Sequence, residues 1–299
     1  MMELAEAFAA YEAARDRLPQ PSRHGAARAA SDLSEIADRF DVFLLDAFGV
    51  LNIGECAIPG VVERLQSLRD AGKTLMVVSN AASLPHEMLM RKYAALGYDF
   101  APGDVITSRK AMMAALETAP PRRWGLMSSR AAGLGELATL DTEYLEDEGS
   151  VYDRAEGVLM VGTAGWTETR QRLLEDSLRN DPRPVWVGNP DIVAPRENGF
   201  SQEPGYFAHR LADATGIAPQ FYGKPFGNIF DLALARLPAD IPLDRILMVG
   251  DSPHTDILGA NTVGIASALV AGYGFLGGAP ARAYLDVAGI YPDFVLDRP

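Results

Sequence analysis

The sequence predicts an α/β protein: a doubly wound parallel-sheet core with a smaller α/β unit inserted into it. Three observations lead there. Largely apolar runs at 42–45, 74–78 and 245–249 read as strands buried on both faces, as in a parallel sheet under helices. Stretches with helical spacing separate such runs, and strand, helix and strand within about 40 residues make a right-handed parallel unit the default. Pro120-Pro121 then breaks the chain, and a second rhythm of short strands begins. At 299 residues the chain is long for a single compact core.

Residues 3–18 and 31–39 have helical composition around Pro19-Gln20-Pro21-Ser22, so 1–39 reads as a helical lead-in without chemistry of its own. The run from 42 stops at Asp46, and Gly49 lets the chain turn sharply. After the loop of Gly54 and Pro59, Val61, Leu65 and Leu68 recur at helical spacing, with Gly72 as the stop. The strand at 74–78 ends in Ser79-Asn80, and helical patterns follow at 88–96 and 111–116. Beyond the proline pair, 124–127, 158–161 and 184–187 read as strands, with a helix near 167–178 between the last two. The acidic stretch 145–153 reads as a solvated connecting loop. The chain restarts at Phe221-Tyr222-Gly223-Lys224-Pro225, followed by a helix near 228–237, the strand at 245–249, a helix over 255–261 and strands at 264–270 and 294–296. The core is therefore expected from residues 1–120 and 219–299, and the inserted unit from 121–218.

Composition narrows the function. Lysine and arginine number 27 against 40 aspartates and glutamates, a net charge of −13. Such a chain has no electrostatic footprint for nucleic acid or an anionic membrane. If it handles anions, it needs a local site or a bound cation. Cys56 is the single cysteine, so no internal disulfide forms, which fits a reducing compartment. Its surroundings carry no nucleophile motif. The first residues carry Glu3 and Glu6 and no basic start, unlike a signal peptide. No run approaches the roughly 18 apolar residues of a spanning helix. A cytoplasmic location is expected.

Four polar clusters stand at strand ends or just beyond: Asp46, Ser79-Asn80, Lys224, and Asp251 with Asp256. In open α/β sheets the ligand crevice lies outside the carboxyl ends of the strands, so these groups would meet there. Each alone has an ordinary reading: a turn aspartate, a helix cap, a surface lysine, an exposed helix carboxylate. Their order and placement carry the signal. Carboxylates brought together repel and raise one pKa. A hard divalent cation removes that cost, and Mg²⁺ takes one or two carboxylates plus waters and a substrate phosphate. An ammonium, a hydroxyl and an amide supply the donors a phosphoryl group requires. The set suits phosphoryl transfer to an aspartate nucleophile.

On these residues the chain resembles the haloacid dehalogenase superfamily of hydrolases, within it the class IIA, NagD-like phosphatases. Residues 46–50 are similar to the family's first motif, Val78-Ser79-Asn80 to its second and Gly223-Lys224-Pro225 to its third. Gly250-Asp251-Ser252-Pro253-His254-Thr255-Asp256-Ile257 is similar to the fourth and is the most specific. The resemblance covers roughly residues 40–296 and implies a Rossmann-like core with an inserted α/β cap. It implies Asp46 as nucleophile and Mg²⁺ ligand, the Phe48 backbone carbonyl and Asp251 as further ligands, and Ser79 and Asn80 on the phosphoryl group. Lys224 would balance charge, and Asp256 would orient Lys224 or metal-bound water. Gly188-Asn189-Pro190-Asp191 resembles the cap segment of NagD-like members, making Asn189 and Asp191 substrate candidates, although it reads equally as a proline-containing turn. The partner implied is a small phosphorylated metabolite. Oligomeric state stays open, with a homodimer compatible with exposed sheet edges.

One position departs from the pattern. Phosphatases of this superfamily place a second aspartate two residues after the nucleophile, as general acid and base; here it is Phe48. A phenyl ring cannot protonate a leaving alkoxide, and positioned acid–base groups supply about 10²–10⁴-fold in rate. Three readings follow: a phosphatase that is slow or uses another proton carrier, a dehalogenase-like hydrolysis by Asp46, or a protein that only binds a phosphorylated metabolite. His254 is the one histidine near a motif and thus a candidate substitute. The intact Asp251/Asp256 pair speaks against the metal-free dehalogenase. A receiver domain is far shorter, and a dinucleotide fold wants a glycine-rich turn that Gly49 alone does not make.

Overall fold

The computed structural model describes residues 1–196 and 198–299. Seven parallel strands form the larger sheet, in the order Arg28–Ala30, Phe294–Leu296, Ala266–Val270, Ile246–Gly250, Val42–Leu45, Thr74–Ser79 and Val105–Thr107. Side chains alternate across the pleat, and both faces are covered, so both sets are apolar. Phe43, Leu45, Leu75 and Val77 pack on one face with Val61, Leu65 and Leu68 of helix Val61–Asp70. Val42, Leu44, Met76 and Val78 pack on the other against Ile229, Phe230 and Ala233 of helix Gly227–Leu234.

From Val42–Leu45 the chain runs outward to one edge, returns to Ile246–Gly250 on the opposite side, and runs outward again. Strand order reverses between these two strands, which is where a crevice opens at the carboxyl ends. Register places Leu45 opposite both Val249 and Val77. Asp46, Ser79-Asn80 and Asp251 therefore leave the sheet at one level.

The smaller sheet is also wholly parallel: Gln220–Phe221, Val185–Val187, Gly157–Met160, Trp124–Met127 and Thr142–Tyr144. Leu174, Leu178, Phe207 and Leu211, from helices Glu168–Asn180 and Pro204–Thr215, cover one face. The other face packs on Met112 and Leu116 of the core helix Ser108–Leu116. Its last strand reaches Phe221, beyond the boundary expected at 218, because parallel pairing with Val185–Val187 draws 220–221 into this sheet.

The lead-in departs from its expected helical form. Leu4–Ala13 is a helix, but Arg28–Ala30 adds an edge strand to the larger sheet, and 31–39 forms only short turns at Leu33–Glu35 and Ala37–Arg39. The Asp32 carboxylate accepts from the Ser34 N–H at 2.8 Å, a local bond that competes with helix growth. An antiparallel hairpin, Val193–Arg196 with Gly199–Gln202, leaves the inserted unit and is joined at Phe200 by Met2 through bonds of 2.9 and 3.1 Å. No described helix is long and apolar enough to cross a membrane.

Candidate active site

Lys224 organises the carboxyl edge. Its side chain is 2% exposed, and its Nζ donates to Asp46 Oδ1 and to Asp256 Oδ1, each at 2.6 Å. The other Asp256 oxygen accepts the backbone N–H groups of Asp251 (3.1 Å) and Ser252 (3.0 Å), so both of its oxygens are committed. Asp251 Oδ2 accepts the Phe275 N–H at 2.7 Å. Gly49, at φ +76°, brings the first loop so close that a Cβ there would collide with the Asp251 carboxylate. One carboxylate oxygen from each of Asp46, Asp251 and Asp256 lies within 4.8 Å of the others. In the turn after Asp46, Leu51 and Asn52 donate to the Ala47 carbonyl and Gly49 to the Asn52 carbonyl, a pattern that spends nothing on the carbonyl of Phe48.

Asn80 is more occupied than its place beside a phosphoryl group implies. Its Oδ1 accepts the Lys224 N–H at 2.7 Å, and its Nδ2 donates to the Lys224 carbonyl (2.9 Å) and to Asp191 Oδ1 (2.7 Å). It fixes the lysine's loop and Asp191 at once. Ser79 is buried beside it at the end of its strand. Asn189 Oδ1 accepts the Asp191 N–H at 3.0 Å, a tight turn that aims Asp191 at the core.

Two cavities share Asp46, Phe48, Asp191 and Ala194 as wall residues. The larger, about 200 Å³, adds Ser79, Asn80, Asn189, Arg196 and Glu203; the smaller, about 50 Å³, adds Tyr11, Asp251, Ser252 and Thr255. Tyr11 belongs to the lead-in, which carries no motif that would place it at a site. Its hydroxyl accepts the Ile192 N–H at 3.2 Å, and its ring stacks on His254 at 5.0 Å. The visible signal was the Ala7, Phe8, Tyr11 stripe of its helix, which says that a face is buried but not against what. His254 proves unsuited as a substitute proton carrier: it is buried under that helix, with Nε2 bonded to Glu12.

Burial sets the electrostatics. It pushes Asp46 up to about 6 against the pull of Lys224, and, with the charges of Asp256 and Asp46, raises Asp251 well above the usual carboxylate range. Burial drives Asp191 up to about 8, although Asn80 and Lys224 oppose it. For Lys224, burial works against the charge, and the two carboxylates outweigh it to raise its pKa. Asp46, Asp251 and Asp256 against one ammonium leave two negative charges uncompensated when all are ionised. That donor set, hard oxygens in a buried cluster, fits a small divalent cation.

Comparisons with known proteins meet this geometry. Residues 43–141 match a family model of haloacid dehalogenase-like hydrolases, and residues 221–298 match a second, HAD-hydrolase-like model. The chain belongs to the haloacid dehalogenase-like hydrolases. Its architecture is that of their NagD-like class. D-glycerol 3-phosphate phosphatase of Mycobacterium tuberculosis is 30% identical over 243 residues, spanning 80% of this chain and 65% of that one. A possible sugar phosphatase of the same superfamily from Cytophaga hutchinsonii superposes with a TM-score of 0.80 at 23% identity, over 91% of this chain and 98% of the other. Glycerol phosphate phosphatase from M. tuberculosis, solved in complex with magnesium, superposes with a TM-score of 0.62 at 27% identity, over 78% and 68%.

Proposed function

We propose that the chain is a Mg²⁺-dependent phosphatase of small phosphorylated metabolites, working through an aspartyl-phosphate on Asp46. The observation that carries the reading is the Asp46–Lys224–Asp256 chain of bonds beside Asp251, all at the reversal point of the sheet. Asp46 would attack phosphorus, Lys224 would hold Asp46 and balance the incoming charge, and the Ser79 hydroxyl would grip the phosphoryl oxygens. Asn80, its side chain already committed, would contribute through its backbone N–H and by fixing Lys224. Asp46, Asp251 and the Phe48 carbonyl would hold Mg²⁺, whose chemistry when bound is to neutralise the carboxylates facing the phosphoryl group. Asp256 would act only by fixing Lys224 and the loop at 251–252.

The unit at 121–218, with the strand at 220–221, would serve as the cap, and its Asn189, Asp191, Arg196 and Glu203 would meet the substrate beyond its phosphate. The magnesium-bound mycobacterial structure and the phosphatase names of the relatives support the reading. The single cysteine fits a reducing, cytoplasmic setting. The test is release of phosphate from 4-nitrophenyl phosphate and glycerol phosphate with and without Mg²⁺. The wild type should turn over only with the metal, and Asp251→Asn should not; equal rates in the two proteins would remove Asp251 from the site. Phe48 favours a second reading, a protein that binds a phosphorylated metabolite without cleaving it. Thermal stabilisation by sugar phosphates with no phosphate released would select that one.

A further inference from the structure

We propose that Asp191, delivered from the inserted unit, is the proton carrier of this site, standing in for the carboxylate that position 48 lacks; this rests on the phosphatase reading. The two cavities around Asp46 and Phe48 offer few candidates. Besides Asp46, the carboxylates on their walls are Asp191, Glu203 and Asp251. Burial raises the pKa of Glu203 as well, but its Oε1 is already held by Arg196 Nη2 at 3.0 Å and Ser201 Oγ at 2.8 Å. It walls only the larger cavity, away from Asp251. Asp251 is bound to the Phe275 N–H and faces the cation position. The Tyr11 hydroxyl is a weak acid at best, and burial weakens it further.

Asp191 differs on each count. It walls both cavities together with Asp46 and Phe48. Its Oδ1 is anchored by Asn80 and its backbone by Asn189, so the carboxyl is held in place. Among the described residues no cation is paired with it, and its Oδ2 has no protein partner. A carboxyl in such a setting favours its neutral form, and burial shifts it in that direction. Asn80 ties this group to the Lys224 backbone, and the Lys224 ammonium holds Asp46, so proton carrier and nucleophile are linked through one amide and one lysine.

The chemistry balances. As Asp46 forms its bond to phosphorus, the bond from phosphorus to the ester oxygen breaks, and the Asp191 proton passes to that oxygen, releasing the alcohol. The Asp191 carboxylate then takes a proton from water as the water oxygen bonds to phosphorus and the Asp46–phosphorus bond breaks. Phosphate leaves, and Asp191 is protonated again. The phenyl of Phe48 takes no part in either transfer.

The experiment compares wild type, Asp191→Asn and the double variant Phe48→Asp/Asp191→Asn on glycerol phosphate and 4-nitrophenyl phosphate in Mg²⁺. Asparagine keeps an oxygen for the Asn80 bond, and circular dichroism with the Mg²⁺-induced thermal shift checks that the variant folds. Asp191→Asn should lose about 10²–10⁴-fold on glycerol phosphate, whose alkoxide needs a proton. On 4-nitrophenyl phosphate, whose leaving group needs none, it should release about one equivalent of nitrophenolate in a burst and then stall with phosphate bound to protein. The double variant, with a carboxylate restored at 48, should regain turnover on both esters. Wild-type turnover that Asp191→Asn leaves intact overturns the proposal alone. A wild type that cleaves neither ester overturns the phosphatase reading beneath it.

Discussion

Among the described residues there are two parallel sheets, and one of them gathers charged and polar side chains at its carboxyl edge. In the larger, the ends of the adjacent strands Val42–Leu45, Thr74–Ser79 and Ile246–Gly250 present Asp46, Ser79-Asn80 and Asp251, with Lys224 and Asp256 locked between them. In the smaller, the strand Trp124–Met127 ends in Ser128-Ser129 and Gly157–Met160 runs into Val161-Gly162. The exception is Val185–Val187, whose exit through Gly188-Asn189-Pro190 carries Asp191 across to the other sheet's edge. On the proposed reading, the same local geometry serves as a catalytic platform in one place and as a scaffold in the other. Side chains at strand ends make the difference, not the sheet.

The comparison breaks first at Asp46. If the larger sheet alone carries the nucleophile, Asp46→Asn should remove turnover of 4-nitrophenyl phosphate by at least ~10⁴-fold, the scale on which loss of a covalent nucleophile acts. Residual Mg²⁺-dependent turnover near the wild-type rate would put the chemistry elsewhere.

Lys224 comes next. Replacing it with methionine leaves Asp46 and Asp256 facing each other in a buried site with no counter-charge. Breaking a buried ion pair from one side costs about 3–5 kcal/mol. Urea unfolding of Lys224→Met without metal should show a loss of that order, and a midpoint unchanged from wild type would contradict the buried geometry. No position of the smaller sheet's carboxyl edge should match it.

The edge was legible because its residues follow a simple rule. Apolar runs mark strands buried on both faces, and the first polar residue after each run marks the crevice, so Asp46, Ser79-Asn80 and Asp251 could be placed without coordinates. Lys224 could be placed by its order in the chain. The opposite wall obeys no such rule. Tyr11 lies 35 positions before Asp46, and its helix shows a buried stripe without naming the surface it covers. The hairpin at 193–202 opens on Val-Ala-Pro-Arg, where Pro195 argues against a strand and no alternation marks one. Strands of three residues such as Arg28–Ala30, Val105–Thr107 and Thr142–Tyr144 are too short for periodicity to register. The double commitment of Asn80 arises only when the 223–225 loop and Asp191 converge, and sequence spacing holds no record of that.

A smaller effect reads the wall's electrostatics. Asp191 is raised to about 8 in the folded chain against 3.8 as its ordinary value, so the folded state binds a proton that the unfolded state releases between those limits. Stability contributed by this group is therefore present below about pH 4 and lost progressively as pH rises towards 8. Asparagine at 191 has nothing to lose. In chelator, the melting temperature of Asp191→Asn minus that of wild type should grow more positive from pH 5 to pH 8, reaching roughly 2–4 °C for each kcal/mol recovered. Mg²⁺ should shrink the difference by offsetting the carboxylate charge. A difference that stays flat with pH would mean that Asp191 is solvated in the folded protein.

The smallest effect expected is at Tyr11. Its hydroxyl accepts the buried Ile192 N–H, while its ring is stacked on His254 and edge-on to Phe275 at 5.8 Å. Phenylalanine keeps the stacking and deletes one hydrogen bond, a change worth about 0.5–1.5 kcal/mol. That bond joins the first helix to the residue next to Asp191, so its loss should loosen the wall without touching Asp46, Lys224 or Asp251. Tyr11→Phe should lower the melting temperature slightly and reduce glycerol phosphate turnover by only a few-fold, with Mg²⁺ affinity unchanged. Loss of Mg²⁺ binding in this variant would show that the two sides of the crevice are one cooperative unit rather than a fixed edge and an adjustable wall.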